Sequence, residues 1–346
     1  MRRAAALALA AVALTGCGGS QPPPEIHVSG SLARRAADPG RYAKPLGAAL
    51  RAEPAAGEAA YIRDFVTAFT SMTPENAMKW EFVEPERGRF DFRLADELVD
   101  AARRTHKRVR GHPLVWDQQL PGWLKDGDWD REELADVLRD HVRRLVGRYH
   151  GRVAEWDVVN EPFDEDGGWT ESVWYRVLGE DYVDIAFRAA HEADPDARLF
   201  LNEVGAEHPG PRARALLRLA RDLRRRGVPI DGVGFQNHTT VTGAPSRADL
   251  AATFRRYAAL GLDVAITEMD VVIPPDGAPP DPLARQARAY EDAARACRDA
   301  ANCTGLTVWG VTDRYSWKGA DRQPLPFAAD GRPKPALRAL LDTLRG

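Results

Sequence analysis

Cysteine is scarce in this 346-residue sequence: there are three, none in a Cys-x-x-Cys pair, and no His-Glu-x-x-His stretch accompanies them. The usual ligand spacings of a zinc site are therefore missing, and neither a metal nor another cofactor is expected. A basic surplus is also lacking. The formal net charge is -3 and the sequence pI is near 6.3, which argues against a nucleic-acid partner. Lysine is rare among the basic residues, which alongside so much alanine reads as compositional bias. No glycine-rich phosphate loop follows the first apolar run, so a nucleotide-binding fold and a sugar-nucleotide transferase are disfavoured. The run Ala4 to Leu14 is too short to span a bilayer.

That run belongs instead to a targeting segment. Met1-Arg2-Arg3 gives it a positive start, and Leu14-Thr15-Gly16-Cys17 follows. This ending resembles the lipobox of bacterial lipoproteins, in which the cysteine is lipidated after cleavage; the alternative is an ordinary secretion signal with an incidental cysteine. The expected organisation is a signal peptide over 1–16, lipidated Cys17 and a flexible tether over 17–40, and a catalytic unit over 41–346. The protein is then exported and held by lipid at the bacterial cell envelope or surface, or otherwise secreted. The other cysteines, Cys297 and Cys303, are close enough for a disulfide in an oxidising compartment, with two buried thiols as the alternative.

Beyond residue 40 one pattern recurs: a short apolar run, a polar or Gly/Pro-rich stretch, then an amphipathic segment. Strand candidates start near Pro45, Ala68, Lys107, Val153, Arg198, Asp231, Asp263 and Leu306. Helical periodicity marks Arg131 to Arg148, Glu171 to Ala193, Arg212 to Arg226 and Pro282 to Ala300. Strands alternating with helices imply a parallel sheet. Eight such units in a chain of this length predict a single (β/α)8 barrel, whose chemistry belongs at the C-terminal strand ends.

Those ends carry acids, amides, histidines and tryptophans. Glu161 closes Trp156-Asp157-Val158-Val159-Asn160-Glu161, and Glu268 closes Ala265-Ile266-Thr267-Glu268. Either glutamate alone could be a rim salt bridge. Two carboxyl groups with different environments, however, suit acetal cleavage, one as proton donor and one as nucleophile. Asn160 is placed to bond a sugar 2-hydroxyl. Asp270 lies two residues beyond Glu268 and shares its face, so His238 from the preceding strand can bridge them. Trp116, Trp309 and Trp317, with Trp80 a little earlier, could line a sugar cleft, although a single tryptophan is more often core. Trp123, Trp129, Trp169 and Trp174 are assigned to packing, and His141, His150, His191 and His208 have no matched partners. The run Arg221 to Arg226 reads as a solvated helix face.

At these residues the sequence resembles glycoside hydrolase family 10, the barrel endo-β-1,4-xylanases, over Arg41 to Leu344. Thr73 to Trp80 is similar to the stretch that binds non-reducing-end sugars, which implies that role for Glu75, Asn76 and Lys79. Arg110-Gly111-His112 through Trp116 and Gln119 resembles a second sugar-binding strand end. Trp156 to Glu161 resembles the acid/base motif, Gln236 and His238 stand where the family keeps its nucleophile's partners, and Trp309 and Trp317 match its cleft walls. The Cys297/Cys303 spacing resembles a disulfide common in the family. The resemblance implies retaining, endo-acting hydrolysis of xylan, with Glu161 titrating above Glu268; the enzyme is expected to be a monomer.

There are departures from the family pattern. Asp117 and Gln118 replace the usual His-Ser, Pro113 stands where Thr is common, and Asn202-Glu203-Val204-Gly205 replaces Asn-Asp-Tyr-Asn. The last removes an aromatic from the reducing-end side. Two other readings stay open: a related β-1,4- or mixed-linkage glucanase, and a non-catalytic surface lipoprotein that captures glycans.

Overall fold

In the computed structural model, which describes residues 25–345, the strands run β1 (Leu46–Leu50), β2 (Ser71–Pro74), β3 (Arg108–Gly111), β4 (Glu155–Asn160), β5 (Arg198–Glu203), β6 (Gly232–Phe235), β7 (His238–Thr240), β8 (Asp263–Val272) and β9 (Cys303–Val308). All pairings between them are parallel, each from β1 to β6 lies beside the next, β9 joins β1 to β8, and a β6–β8 pairing closes the ring. The short β7 continues β6 and pairs only with the far end of β8. Strand β1 is buried along its whole length, which explains why it reads as an unbroken apolar run, while β4 is equally buried but carries Glu155, Asp157 and Asn160 into the barrel.

One main helix follows each barrel strand: α1 (Ala59–Ala68), α2 (Arg93–Arg104), α3 (Arg131–Arg148), α4 (Asp181–Ala193), α5 (Pro211–Arg225), α6 (Arg247–Ala258), α7 (Pro282–Asp299) and α8 (Pro335–Arg345). Helix α3 shows why they form. Asp130 caps it by accepting from the Glu133 N–H at 2.8 Å, and acids occupy its first turn, as the helix dipole favours. Leu134, Leu138, Val142 and Leu145 then make the buried stripe; Leu138→Ala would cost about 2–5 kcal/mol.

The segment expected as one helix over Glu171 to Ala193 is two, Val173–Leu178 and then α4, because Gly179 takes φ 61° between them. The last barrel strand starts at Cys303, earlier than the apolar run beginning at Leu306 suggests. Residues 1–16, Cys17 and Gly18 to Pro24 lie outside the described residues. Residues 25–40 do not follow the expectation of a flexible tether. Ile26 is buried and bonded on both sides, its N–H donating to Glu97 and its carbonyl accepting from Arg104. The Ala37 N–H donates to the Val66 carbonyl at 3.0 Å, and Lys107 Nζ donates to the Ala37 carbonyl at 3.3 Å. The reason is apolar: Ile26 and Ala37 cover the end of the barrel where the strands begin. Cys297 and Cys303 form a disulfide.

Candidate active site

Five strands deliver side chains to one cleft at the C-terminal end of the barrel. Strand β4 ends in Asn160 with Glu161 next, β5 ends in Asn202 and Glu203, and β8 brings Glu268 and Asp270 on one face. Gln236 follows β6 and His238 opens β7. Glu161 takes φ 53° and Asn237 φ 59°. Non-glycine residues rarely adopt that left-handed region. Each break from strand geometry turns the chain just where a site side chain must face inward. Backbone bonds hold the first of them: the Glu161 N–H donates to the Asn202 carbonyl at 3.0 Å, and Thr170 Oγ1 donates to the Glu161 carbonyl at 3.2 Å.

The two glutamates are joined through three side-chain amides. Gln236 Nε2 donates to Glu161 Oε1 at 2.7 Å and lies 3.3 Å from Asn160 Oδ1. Asn202 Nδ2 donates to that same Asn160 oxygen at 2.7 Å and to Glu268 Oε1 at 2.7 Å. Thr267 Oγ1 donates to Asn202 Oδ1 at 2.7 Å, which fixes the direction of that amide. Gly234 makes room for it, since a Cβ there would stand 2.2 Å from Asn202 Oδ1. Trp116 Nε1 completes the setting of Glu161 by donating to Oε2 at 2.9 Å.

Glu268 is buried beside two imidazoles. His238 Nε2 is 3.4 Å from Glu268 Oε2, and His112 Nδ1 is 3.9 Å from Glu268 Oε1. Burial raises the Glu268 pKa, but the charge of His112 and the bond from His238 outweigh it, so the carboxyl sits below its ordinary range. His238 behaves conversely. Desolvation disfavours its cation, yet Asp270, 2.8 Å from Nδ1, and Glu268 raise it to about 9. Trp317 Nε1 donates to the same Asp270 oxygen at 2.9 Å. Below this layer His112 Nδ1 is 3.0 Å from Asp157, which Arg110 also pairs. A buried ionic column thus runs from the barrel floor up to Glu268.

On the far side of Glu161, Lys79 Nζ donates to Asn76 at 2.9 Å and to Gln119 at 2.6 Å. It also lies 5.1 Å from the centre of the Trp116 ring. Burial lowers its pKa, while Glu268, Glu75, Glu81 and Glu161 oppose the change. Burial also pushes Glu75 up to about 7, despite Arg51 and Lys79. Trp309 meets His112 edge-on with ring centres 4.9 Å apart, and Trp317 meets His238 at 4.9 Å. Trp317 is 53 % exposed, so a flat apolar surface faces solvent beside polar groups, as a sugar ring requires.

All the candidate residues except the lipidation position are thus described, and those above meet in one cleft. Several contacts differ from expectation. The Gln236 side chain reaches Glu161, and only its carbonyl meets the Glu268 N–H, at 3.1 Å. Trp80 is core: it stacks on the buried His141 at 3.5 Å, and His141 has a partner in Glu84 at 2.8 Å. The sequence reading gave no role to Asn202, Thr267 or Asp157. For Asn202 a signal existed, since it ends an apolar strand as Asn160 does.

A closed barrel that gathers paired carboxylates, histidines, amides and tryptophans at its strand ends defines the class, a (β/α)8 glycoside hydrolase. The glycosyl hydrolase family 10 profile matches residues 33–343, and the chain belongs to that family. It is 40 % identical over 281 residues to endo-1,4-β-xylanase 5 of Pyricularia oryzae, covering 80 % of this chain and 69 % of that protein. Against endo-1,4-β-xylanase B of Thermotoga neapolitana the identity is 40 % over 282 residues, covering 79 % and 81 %. Xylanase 10B from Thermotoga petrophila RKU-1, solved in complex with xylobiose, superposes with a TM-score of 0.83 at 36 % identity, covering 87 % of this chain and 93 % of that one.

Proposed function

We propose that the protein cleaves internal β-1,4-xylosidic bonds of xylan with retention of configuration, Glu268 acting as nucleophile and Glu161 as acid/base. Glu268 attacks the anomeric carbon while the glycosidic C–O bond breaks, and the Glu161 proton passes to the departing oxygen. Glu161 then takes a proton from water, whose oxygen bonds to the anomeric carbon as the ester to Glu268 breaks. The observation that carries this assignment is the asymmetry between the two acids. Glu268 is buried and held below its ordinary pKa by two histidines, as an ionised nucleophile needs to be. Glu161 is half-buried at the cleft, with an indole on one oxygen and an amide on the other. On this reading Asn160, His238 and Asp270 support the pair. Glu75, Asn76, Lys79, His112, Trp116, Gln119, Gln236, Trp309 and Trp317 hold the sugars.

Xylan is favoured as substrate because the relatives named above are called xylanases and one was solved with xylobiose. The test compares reducing ends released from xylan and from carboxymethylcellulose, with the first anomer followed by NMR. Faster release from the cellulose derivative would favour the glucanase reading. Tight xylan binding without turnover would favour a glycan-capturing protein, and turnover by Glu268→Ala near the wild-type rate would sink the nucleophile assignment. The same reading has residues 1–16 direct export, Cys17 carry lipid and the barrel act as a monomer. It is supported by the order Met1-Arg2-Arg3, Ala4 to Leu14, then Cys17. Persistence of a Cys17→Ala chain in the membrane fraction would count against the anchor.

A further inference from the structure

The end of the barrel away from the cleft carries a set of exposed arginines that outnumber the exposed acids near them, Glu25, Asp38, Asp196 and Asp342. In a parallel barrel every strand starts at that end and every following helix finishes there. Arg103 lies in the last turn of α2, and Arg255 and Arg256 in that of α6. The N-terminal cover adds Arg34, Arg35 and Arg41. All six are exposed, and none has a carboxylate partner among the described residues.

These arginines lie on one rim. Arg104 bonds the Ile26 carbonyl at the start of the cover, and the Ala43 N–H at its end bonds the Leu344 carbonyl of α8 at 2.8 Å. Lys44 Nζ bonds the Cys303 carbonyl at 2.7 Å. Asn302 next door bonds the carbonyls of Phe254 and Leu262, at the end of α6. The cleft end is mixed: exposed acids, Asp126, Asp128 and Asp130 in one loop and Asp164, Glu165 and Asp166 in another, stand alongside exposed Arg87, Arg89, Lys125, Arg314 and Arg322.

Helix dipoles explain arginines in a last turn. The dipole accounts less well for Arg34 and Arg35, since the helix beside them, Gly30–Ala33, which Arg34 caps, is only four residues long. The chain reaches this rim at Glu25, after 24 residues that include the apolar run and Cys17.

We propose that this face rests on an anionic lipid surface, with the cleft directed away from it. Exposed guanidinium groups within a Debye length of anionic headgroups attract them without any lipid-specific pocket. The proposal concerns the same anchored orientation as the lipid assignment, but it rests on residues 25–345 and can fail separately.

The test uses the chain from Glu25 onward, which contains the whole barrel and its cover but not Cys17. Sedimentation is measured with vesicles containing about one third phosphatidylglycerol and with pure phosphatidylcholine vesicles. Binding to the first alone is expected, falling at least about ten-fold in ~0.5 M salt. The Arg34→Glu/Arg35→Glu/Arg255→Glu/Arg256→Glu chain should bind at least about ten-fold more weakly and hydrolyse soluble xylan as the parent does. Equal binding to both vesicles, salt-independent binding, or no binding would overturn the proposal. So would capture by heparin without capture by anionic vesicles. Should the quadruple variant misfold, the salt titration of the parent chain decides.

Discussion

One amide nitrogen, Nδ2 of Asn202, stands 2.7 Å from Glu268 Oε1 and 2.7 Å from Asn160 Oδ1. The nucleophile assigned to β8 is thus oriented by the strand end beside β4, across a barrel stave that carries no charge of its own. Removing a hydrogen bond to a buried charge costs about 1.5–3 kcal/mol, or roughly 10- to 100-fold in rate when the charge must react. Asn202→Ala should lower kcat/KM on xylotetraose by that factor. An unchanged kcat/KM would remove Asn202 from the machinery.

Glu161→Ala should slow xylan hydrolysis by about 10²–10⁴-fold. An aryl xylobioside with a nitrophenol leaving group needs no proton to depart, so its first step should be nearly unaffected. Added azide, which needs no base, should then accelerate the second step. Equal losses on xylan and on the aryl substrate, with no azide effect, would argue for a structural role.

The histidine pair fixes the pH dependence. His238 helps to hold Glu268 below its ordinary pKa, so His238→Gln should move the acidic limb of the kcat/KM profile to higher pH. The sign for stability is opposite. His238 rises from 6.5 to about 9 on folding, so its stabilisation is complete below pH 6.5 and lost as pH climbs through about 9. Thermal midpoints should therefore fall between neutral and alkaline pH, and fall less in Asp270→Asn, where His238 has lost its first carboxylate.

Glu75 titrates near neutrality because burial raises it to about 7. In the sugar-binding role proposed for it, it would accept hydroxyls as a carboxylate and donate as an acid. KM for xylo-oligosaccharides should show an inflection near pH 7 that Glu75→Gln abolishes, measurable by initial rates across that range.

The disulfide spans a sequence separation of 6 residues, a short loop for which chain entropy gives about 2 kcal/mol. Cys297→Ser/Cys303→Ser should lower the thermal midpoint by a few degrees and leave kcat unchanged, since the bond lies at the strand-start end of the barrel, remote from the cleft.

The barrel was legible because its strands, buried on both faces, appear as plain apolar runs spaced by one-sided helices. The shared face of Glu268 and Asp270 was legible for an equally local reason, the two-residue period of a strand. The amide bridge was not: Asn202 and Glu268 are 66 residues apart, and only ring closure makes them neighbours. The pairing of Trp80 with His141 was not legible because it crosses 61 positions, from the connection after β2 to helix α3. The buried start of the cover, Ile26, was hidden by the polar and small residues around it.

The pairing of β7 with β8 aligns His238 with Asp270 by backbone register. Because that register is set by main-chain bonds, the alignment of His238 with Asp270 behind Glu268 is fixed by the strands, and the loops add to it through the Trp317 indole. Loops can therefore be exchanged to change which chain decorations are admitted, while the reacting carboxylate keeps its direction. Such an enzyme separates the part that chooses from the part that cuts, so variation in the one need not be repaired in the other.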